Sequence, residues 1–112
     1  MNELRERIRE IAIDVVRRVN GEVIDNPAAG VVFQLPMVIN QRNVNVRFRC
    51  ILSDLLIESV GVYENNDIEL TEYENQELVR QQERRLNSLF GNVLRLAGFR
   101  DRRRLRRNLR GV

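Results

Sequence analysis

The chain of 112 residues contains no histidine, no lysine and no tryptophan, and its only cysteine is Cys50. Each absence removes a class of chemistry. Without histidine the usual zinc sites and every histidine-based nucleophile or general-base arrangement are excluded. One cysteine cannot close an internal disulfide. Aromatic residues make up only 5% of the chain, so its core must be built mainly from Leu, Ile and Val. No apolar run approaches the roughly 20 residues that span a bilayer, so no membrane insertion is expected. The opening MNELRERIRE alternates charges and has no signal-peptide core, which leads to the expectation of an intracellular protein.

What is present is a soluble composition, 43% hydrophobic and 31% charged, in a length that suits one domain with a single core. All nineteen basic residues are arginine. Codon bias, thermophilic preference and surface engineering are explanations without functional content, and twelve asparagines sit awkwardly with the second. Two functional explanations stand beside them. Arginine grips phosphate through a planar fork that lysine lacks. A chain without lysine also offers no side-chain amine for acetylation or ubiquitin attachment, which would suit a viral or phage protein.

Charge is unevenly placed. Residues 95–112 hold eight arginines against Asp101, a local charge of +7, whereas the first ninety-four residues carry −4. A mildly acidic body bearing a strongly basic end is the pattern of an interaction arm.

Hydrophobic spacing predicts the elements. Leu4, Ile8, Ile11, Val15 and Val19 recur at helical intervals, giving a helix over 3–19 stopped by Asn20-Gly21. Val31 to Ile39 alternates with period two, with Pro36 arguing for an edge or a bulge. After a short loop at 40–43, Val44, Val46, Phe48, Cys50 and Leu52 resume the alternation, the clearest strand in the chain. Strands over 55–63 and 68–70 complete a meander, with Leu55–Ser59 alternatively a helical turn and Gly61 the mark of a bulge. Thr71-Glu72-Tyr73-Glu74 matches a capping box for a long helix over 72–97, with Leu78, Leu86, Leu89, Phe90, Val93 and Leu96 on one stripe and Gly98 at its end. Asp101 is placed to cap a final short helix ending at Gly111, anchored by Phe99, Leu105 and Leu109. The expectation is an α+β fold: an N-terminal helix, an antiparallel meander of three to four strands and a long C-terminal helix within 1–98, then an arginine-rich arm or short helix over 99–112.

Four groups of residues could carry function. Arg100, Arg102, Arg103, Arg104, Arg106, Arg107 and Arg110 place seven guanidinium groups within eleven residues. They would bind a phosphate backbone with salt-dependent affinity. Over about a dozen residues this end is similar to the arginine-rich motifs of viral and phage RNA-binding proteins, and the resemblance implies structured or double-stranded RNA ahead of DNA. Arg47 and Arg49, with Asn45, face away from the apolar side of their strand, and Arg42 stands in the adjoining loop. They either extend the basic surface or pair across strands with Glu58 or Glu69. The acids Glu58, Glu64, Asp67, Glu69, Glu72, Glu74 and Glu77 could hold a metal ion, but the common carboxylate nucleases also use a lysine. A structural or autoinhibitory role, in which this patch pairs with the basic end of the same or a neighbouring chain, is the simpler reading. Cys50 reads as a core thiol, and Tyr63 and Tyr73 as packing residues.

The edge formed by Tyr73, Leu78 and Val79 offers a surface for a homodimer, which would double the basic patch. The sequence therefore points to a non-catalytic nucleic-acid binder without a cofactor. A protein-protein module, such as an assembly factor or secretion-type chaperone whose basic tail binds an acidic partner, is the alternative.

Overall fold

The computed structural model describes residues 3–64, 68–69 and 76–111, with the side chains of 68 and 69 excepted. Helix α1 (Glu3–Arg18) leads into strands β1 (Glu22–Asp25), β2 (Gly30–Ile39), β3 (Arg42–Ile51), β4 (Leu56–Glu64) and β5 (Ile68–Glu69), followed by helices α2 (Gln76–Leu96) and α3 (Arg102–Arg110). The strands form one antiparallel sheet in the order β1-β2-β3-β4-β5. The fold is α+β, as the periodicities predict. The expected Thr71 capping box lies outside the described residues.

Alternation decides the layers. Val31, Phe33, Leu35, Val44, Val46, Phe48, Cys50, Ile57 and Val62 all point to one buried face. The rings of Phe33 and Phe48 stack there with centroids 5.5 Å apart. Helices α1 and α2 cover this face with Ile8, Ala12, Val15, Leu86, Phe90 and Leu94, all at most 2% exposed. The opposite face, which carries Gln34, Asn45, Arg47 and Arg49, is uncovered by any described helix. No described helix is long and apolar enough to cross a membrane.

Both long helices end in the same way. Asn20 (φ 58°) and Gly98 (φ 96°) take the left-handed conformation. At each end two N–H groups turn back onto the last carbonyls: Asn20 to Arg17 and Gly21 to Val16, Gly98 to Arg95 and Phe99 to Leu94. These are Schellman closures. The hairpin between β2 and β3 turns on Asn40 and Gln41 alone, both at positive φ, so the connection is tighter than the four-residue loop expected. Pro36 sits beyond the reach of β1, whose pairing stops at Gln34, so β2 is an edge where it lacks an N–H. A register shift opposite Arg47 and Phe48 places a bulge beside Gly61. Leu52–Asp54 forms a 3-10 turn, and β4 starts after it.

Three details depart from the sequence expectation. β1 was not foreseen, because its four residues are all exposed and show no alternation. Leu96 is 83% exposed, and Val79 and Leu94 take places in the core. Arg9 is buried among the apolar residues of α1. Its guanidinium donates to Asn26 Oδ1 at 2.5 Å and to the carbonyls of Pro27, Ala28 and Gly30 at 2.7–2.9 Å, with Nε on Glu6 Oε1 at 3.3 Å. One arginine thus holds the whole β1–β2 connection against α1.

The outer edge of β4 beside α2 is finished by side chains instead of a strand. Asn87 accepts from the Ile57 N–H at 2.9 Å and donates to its carbonyl at 2.7 Å. Glu83 accepts from the Ser59 N–H at 2.8 Å. An amide and a carboxylate one turn apart mimic a neighbouring strand, which blocks pairing with another chain there. They also fix α2 along the sheet and so set where its C-terminal half meets α3.

Candidate anion-binding surface

The arginine-rich end folds as an element of the body. Asp101 caps α3, its carboxylate accepting from the Arg104 N–H at 3.0 Å. Leu105 and Leu109 are 5% and 1% exposed and join the core. Arg7 lies over the Phe99 ring at 4.7 Å, and Arg5 donates to the Leu109 carbonyl at 3.4 Å, satisfying the negative end of the helix dipole. Arg110 meets Asp54 at 2.5 Å. A nine-residue helix is too short to persist alone in water, so packing, cap and ion pair hold it.

Helical geometry then distributes the guanidinium groups. With Leu105 and Leu109 turned inward, Arg103 and Arg107 fall on the opposite, exposed side. Arg102, Arg106 and Arg110 form a flanking row at intervals of four, running from α2 to the 3-10 turn, with Arg106 half-buried between its neighbours. Arg104 lies on the other flank, near Leu4 and Asn108. Arg100 lies in the connection from α2, exposed. Among the described residues, only Arg110 of these seven has a carboxylate partner. Like charges four apart destabilise a helix by a few tenths of a kcal/mol per pair. Arg102–Arg106, Arg103–Arg107 and Arg106–Arg110 are three such pairs.

A concave site accompanies this convex one. A cleft of about 410 Å³ runs between the end of α2 and the start of α3, lined by Ser88, Gly91, Asn92, Arg95, Arg100 and Arg102. Asn87 reaches its rim while engaged with β4. Arg95 donates to Asn92 Oδ1. The Arg102 guanidinium lies across α2 at Gly91, where a methyl group would stand 3.1 Å from Cζ and collide with Nη2. Glycine inside a helix costs about 1 kcal/mol relative to alanine, and at Gly91 it makes room for that crossing. Ser88, Gly91 and Asn92 were not foreseen as site residues. The sequence signal was a glycine in the middle of an otherwise well-formed helix, one turn before Arg95.

The sheet arginines have internal partners. Arg49 grips Glu58, its neighbour across the strands, with Nη2 and Nε 2.5 and 2.6 Å from Oε1. Arg42 lies 3.6 Å from Glu64, and Arg47 stacks on Tyr63 at 4.0 Å. Arg47 and Arg49 occupy the uncovered sheet face, and Arg42 lies opposite Ile39 at the hairpin end of β3, whereas α3 packs on the helical side against the 3-10 turn at the other end of that strand, so the two groups are not brought together.

The acids singled out from the sequence follow suit where they are described. Glu58 and Glu64 pair as above, and Glu77 pairs with Arg84 at 2.8 Å. Asp67, Glu72 and Glu74, the side chain of Glu69, and Tyr73 lie outside the described residues. Among those described, no three His, Cys, Asp or Glu gather to hold a metal ion. Val79, expected on a dimer edge, is 2% exposed and belongs to the core. Cys50 is fully buried, and burial pushes its thiol up to about 12, against a smaller opposing pull from Arg9.

The chain matches no family model, no curated protein and no solved structure.

Proposed function

We propose that this protein is a non-catalytic nucleic-acid-binding protein that holds the phosphate backbone of structured or double-stranded RNA, ahead of DNA, on the arginine surface built around α3. The observation that carries the reading is the pairing pattern. Six of the seven arginines between Arg100 and Arg110 have no carboxylate partner among the described residues, although α3 is docked, capped and ordered. No described carboxylate neutralises them, and the phosphate backbone of a nucleic acid supplies negative charge at regular spacing.

The choice of a paired substrate rests on the aromatic residues. Phe33, Phe48 and Phe90 are buried, Phe99 lies under Arg7, and Tyr63 lies under Arg47. A surface that reads single strands uses exposed rings as stacking platforms, and no described ring is exposed. Arginine forks on a rigid helix suit recognition of shape and phosphate. RNA is placed ahead of DNA on the compositional likeness of the terminal segment to arginine-rich RNA-binding motifs. Arg42 and Arg49 act within the fold on this reading, as cross-strand partners of Glu64 and Glu58.

The test is binding to a labelled RNA duplex, read by fluorescence anisotropy. Replacing Arg103, Arg104 and Arg107 by glutamine is expected to abolish binding at moderate salt, while replacing Arg42 and Arg49 leaves it in place. The reverse pattern would overturn the assignment to α3. Removing the whole segment after Gly98 is the poorer experiment, because it also deletes Leu105 and Leu109 from the core.

A further inference from the structure

We infer that the cleft between α2 and α3 binds a dianionic phosphate monoester, the group carried by the end of a nucleic-acid strand and by a free nucleotide. For the polymer as source, the inference rests on the reading above. Three arginines from three successive segments line one concave surface: Arg95 from α2, Arg100 from the connection and Arg102 from α3. Ser88 and Asn92, whose Oδ1 accepts from Arg95, complete the lining. None of the three arginines has a carboxylate partner among the described residues. The nearby acids are occupied elsewhere, Asp101 by the Arg104 N–H and Glu83 by the Ser59 N–H.

Shape separates this site from the outer side of α3. Arg103 and Arg107 point away from the body, an arrangement that suits successive backbone diesters of one charge each. Three arginines around one cleft gather positive charge on a concave surface, which suits a terminal phosphate bearing nearly two negative charges at neutral pH. Gly91 supports the assignment, because a side chain there would push the Arg102 guanidinium out of the cleft. Beside the cleft, a second concavity of about 570 Å³ is lined by Asn92, Arg95, Arg100 and the exposed Leu96. Leu96 thus offers an apolar surface to the sugar or base that carries the phosphate.

Two substitutions test the site without emptying the core. Gly91→Ala keeps every charge and suits a helix better, so it is expected to retain or raise the melting temperature. Arg100→Gln removes one fork. One arm of the experiment compares an RNA duplex bearing a 5′-monophosphate with the same duplex bearing a 5′-hydroxyl. The other arm titrates a nucleoside monophosphate and the matching nucleoside by calorimetry.

The wild-type protein is expected to prefer the phosphorylated duplex by about tenfold, the loss expected when a charge-assisted hydrogen-bonded contact is absent. Both variants lose that preference, and Gly91→Ala retains its affinity for the hydroxyl-ended duplex. Equal affinity for the two duplexes, with no saturable binding of the nucleoside monophosphate, overturns the cleft but leaves the backbone surface standing. A preference that survives in both variants overturns it too, since the phosphate is then held elsewhere. Binding of the nucleoside monophosphate that Gly91→Ala abolishes, without any binding of duplex, upholds the cleft and removes the polymer reading.

Discussion

The guanidinium of Arg110 and the carboxylate of Asp54 meet at 2.5 Å although 56 positions separate them in the chain. The contact joins the last turn of α3 to the 3-10 turn between β3 and β4, so the most basic segment of the protein is attached to its sheet. Both partners are substantially exposed, at 61% and 39%, and an exposed ion pair contributes at most about 1 kcal/mol. Leu105 and Leu109 have the larger share. Asp54→Asn is expected to leave thermal unfolding nearly unchanged, whereas Leu109→Ala costs about 2–5 kcal/mol by urea denaturation. Equal effects from the two would mean that charge, not burial, docks the helix.

Arg9 gives a second stability prediction. Its five acceptors come from Glu6, Asn26, Pro27, Ala28 and Gly30, a set that a planar fork reaches and an ammonium with three donors does not. Arg9→Ala is expected to destabilise the protein by about 3 kcal/mol, as buried carbonyls and the Asn26 amide lose a charged donor. Arg9→Lys should recover less than half of that. Full recovery by lysine would show that charge alone matters at this position.

Cys50 titrates in a direction that can be worked through. Its folded-state value of about 12 lies above the ordinary 9.0, because burial disfavours the thiolate. The neutral thiol therefore favours the folded state below pH 9, and this contribution is lost between about pH 9 and 12, as the unfolded chain releases its proton first. Cys50→Ala is expected to flatten the stability profile over that window. A thiol reagent should modify the native protein only as fast as it unfolds, and rapid labelling at pH 8 would contradict the burial of the group.

Much of this fold was legible because burial leaves a period in the sequence. Val44, Val46, Phe48 and Cys50 alternate with Asn45, Arg47 and Arg49, since one face of β3 meets the helices and the other does not. The cap at Asp101 and the leucines of α3 could be read because each acts within one or two turns of its own helix. What escaped was non-local. Arg9 reads as a polar interruption of an apolar stripe until the carbonyls of a turn some twenty residues later arrive to satisfy it. The cleft escaped for the same kind of reason. Its shape depends on how α2 and α3 meet, which Gly91, Asn87 and Glu83 settle through contacts distant in sequence. On the sheet, Arg49 could be read either as a ligand group or as a cross-strand partner, and only register placed it opposite Glu58.

The most direct test of the account is the salt dependence of duplex binding by the wild-type protein and by a double variant, Arg103→Gln with Arg107→Gln. Both residues are exposed and lie on the outer side of α3, so the variant should fold with unchanged or slightly raised stability. Affinity for duplex is expected to fall linearly with the logarithm of salt concentration, and the variant's slope should be shallower by about 2, close to one for each backbone contact removed. Identical slopes and affinities for the two proteins, or binding that does not respond to salt, would contradict the central claim that the guanidinium groups of α3 neutralise an external polyanion.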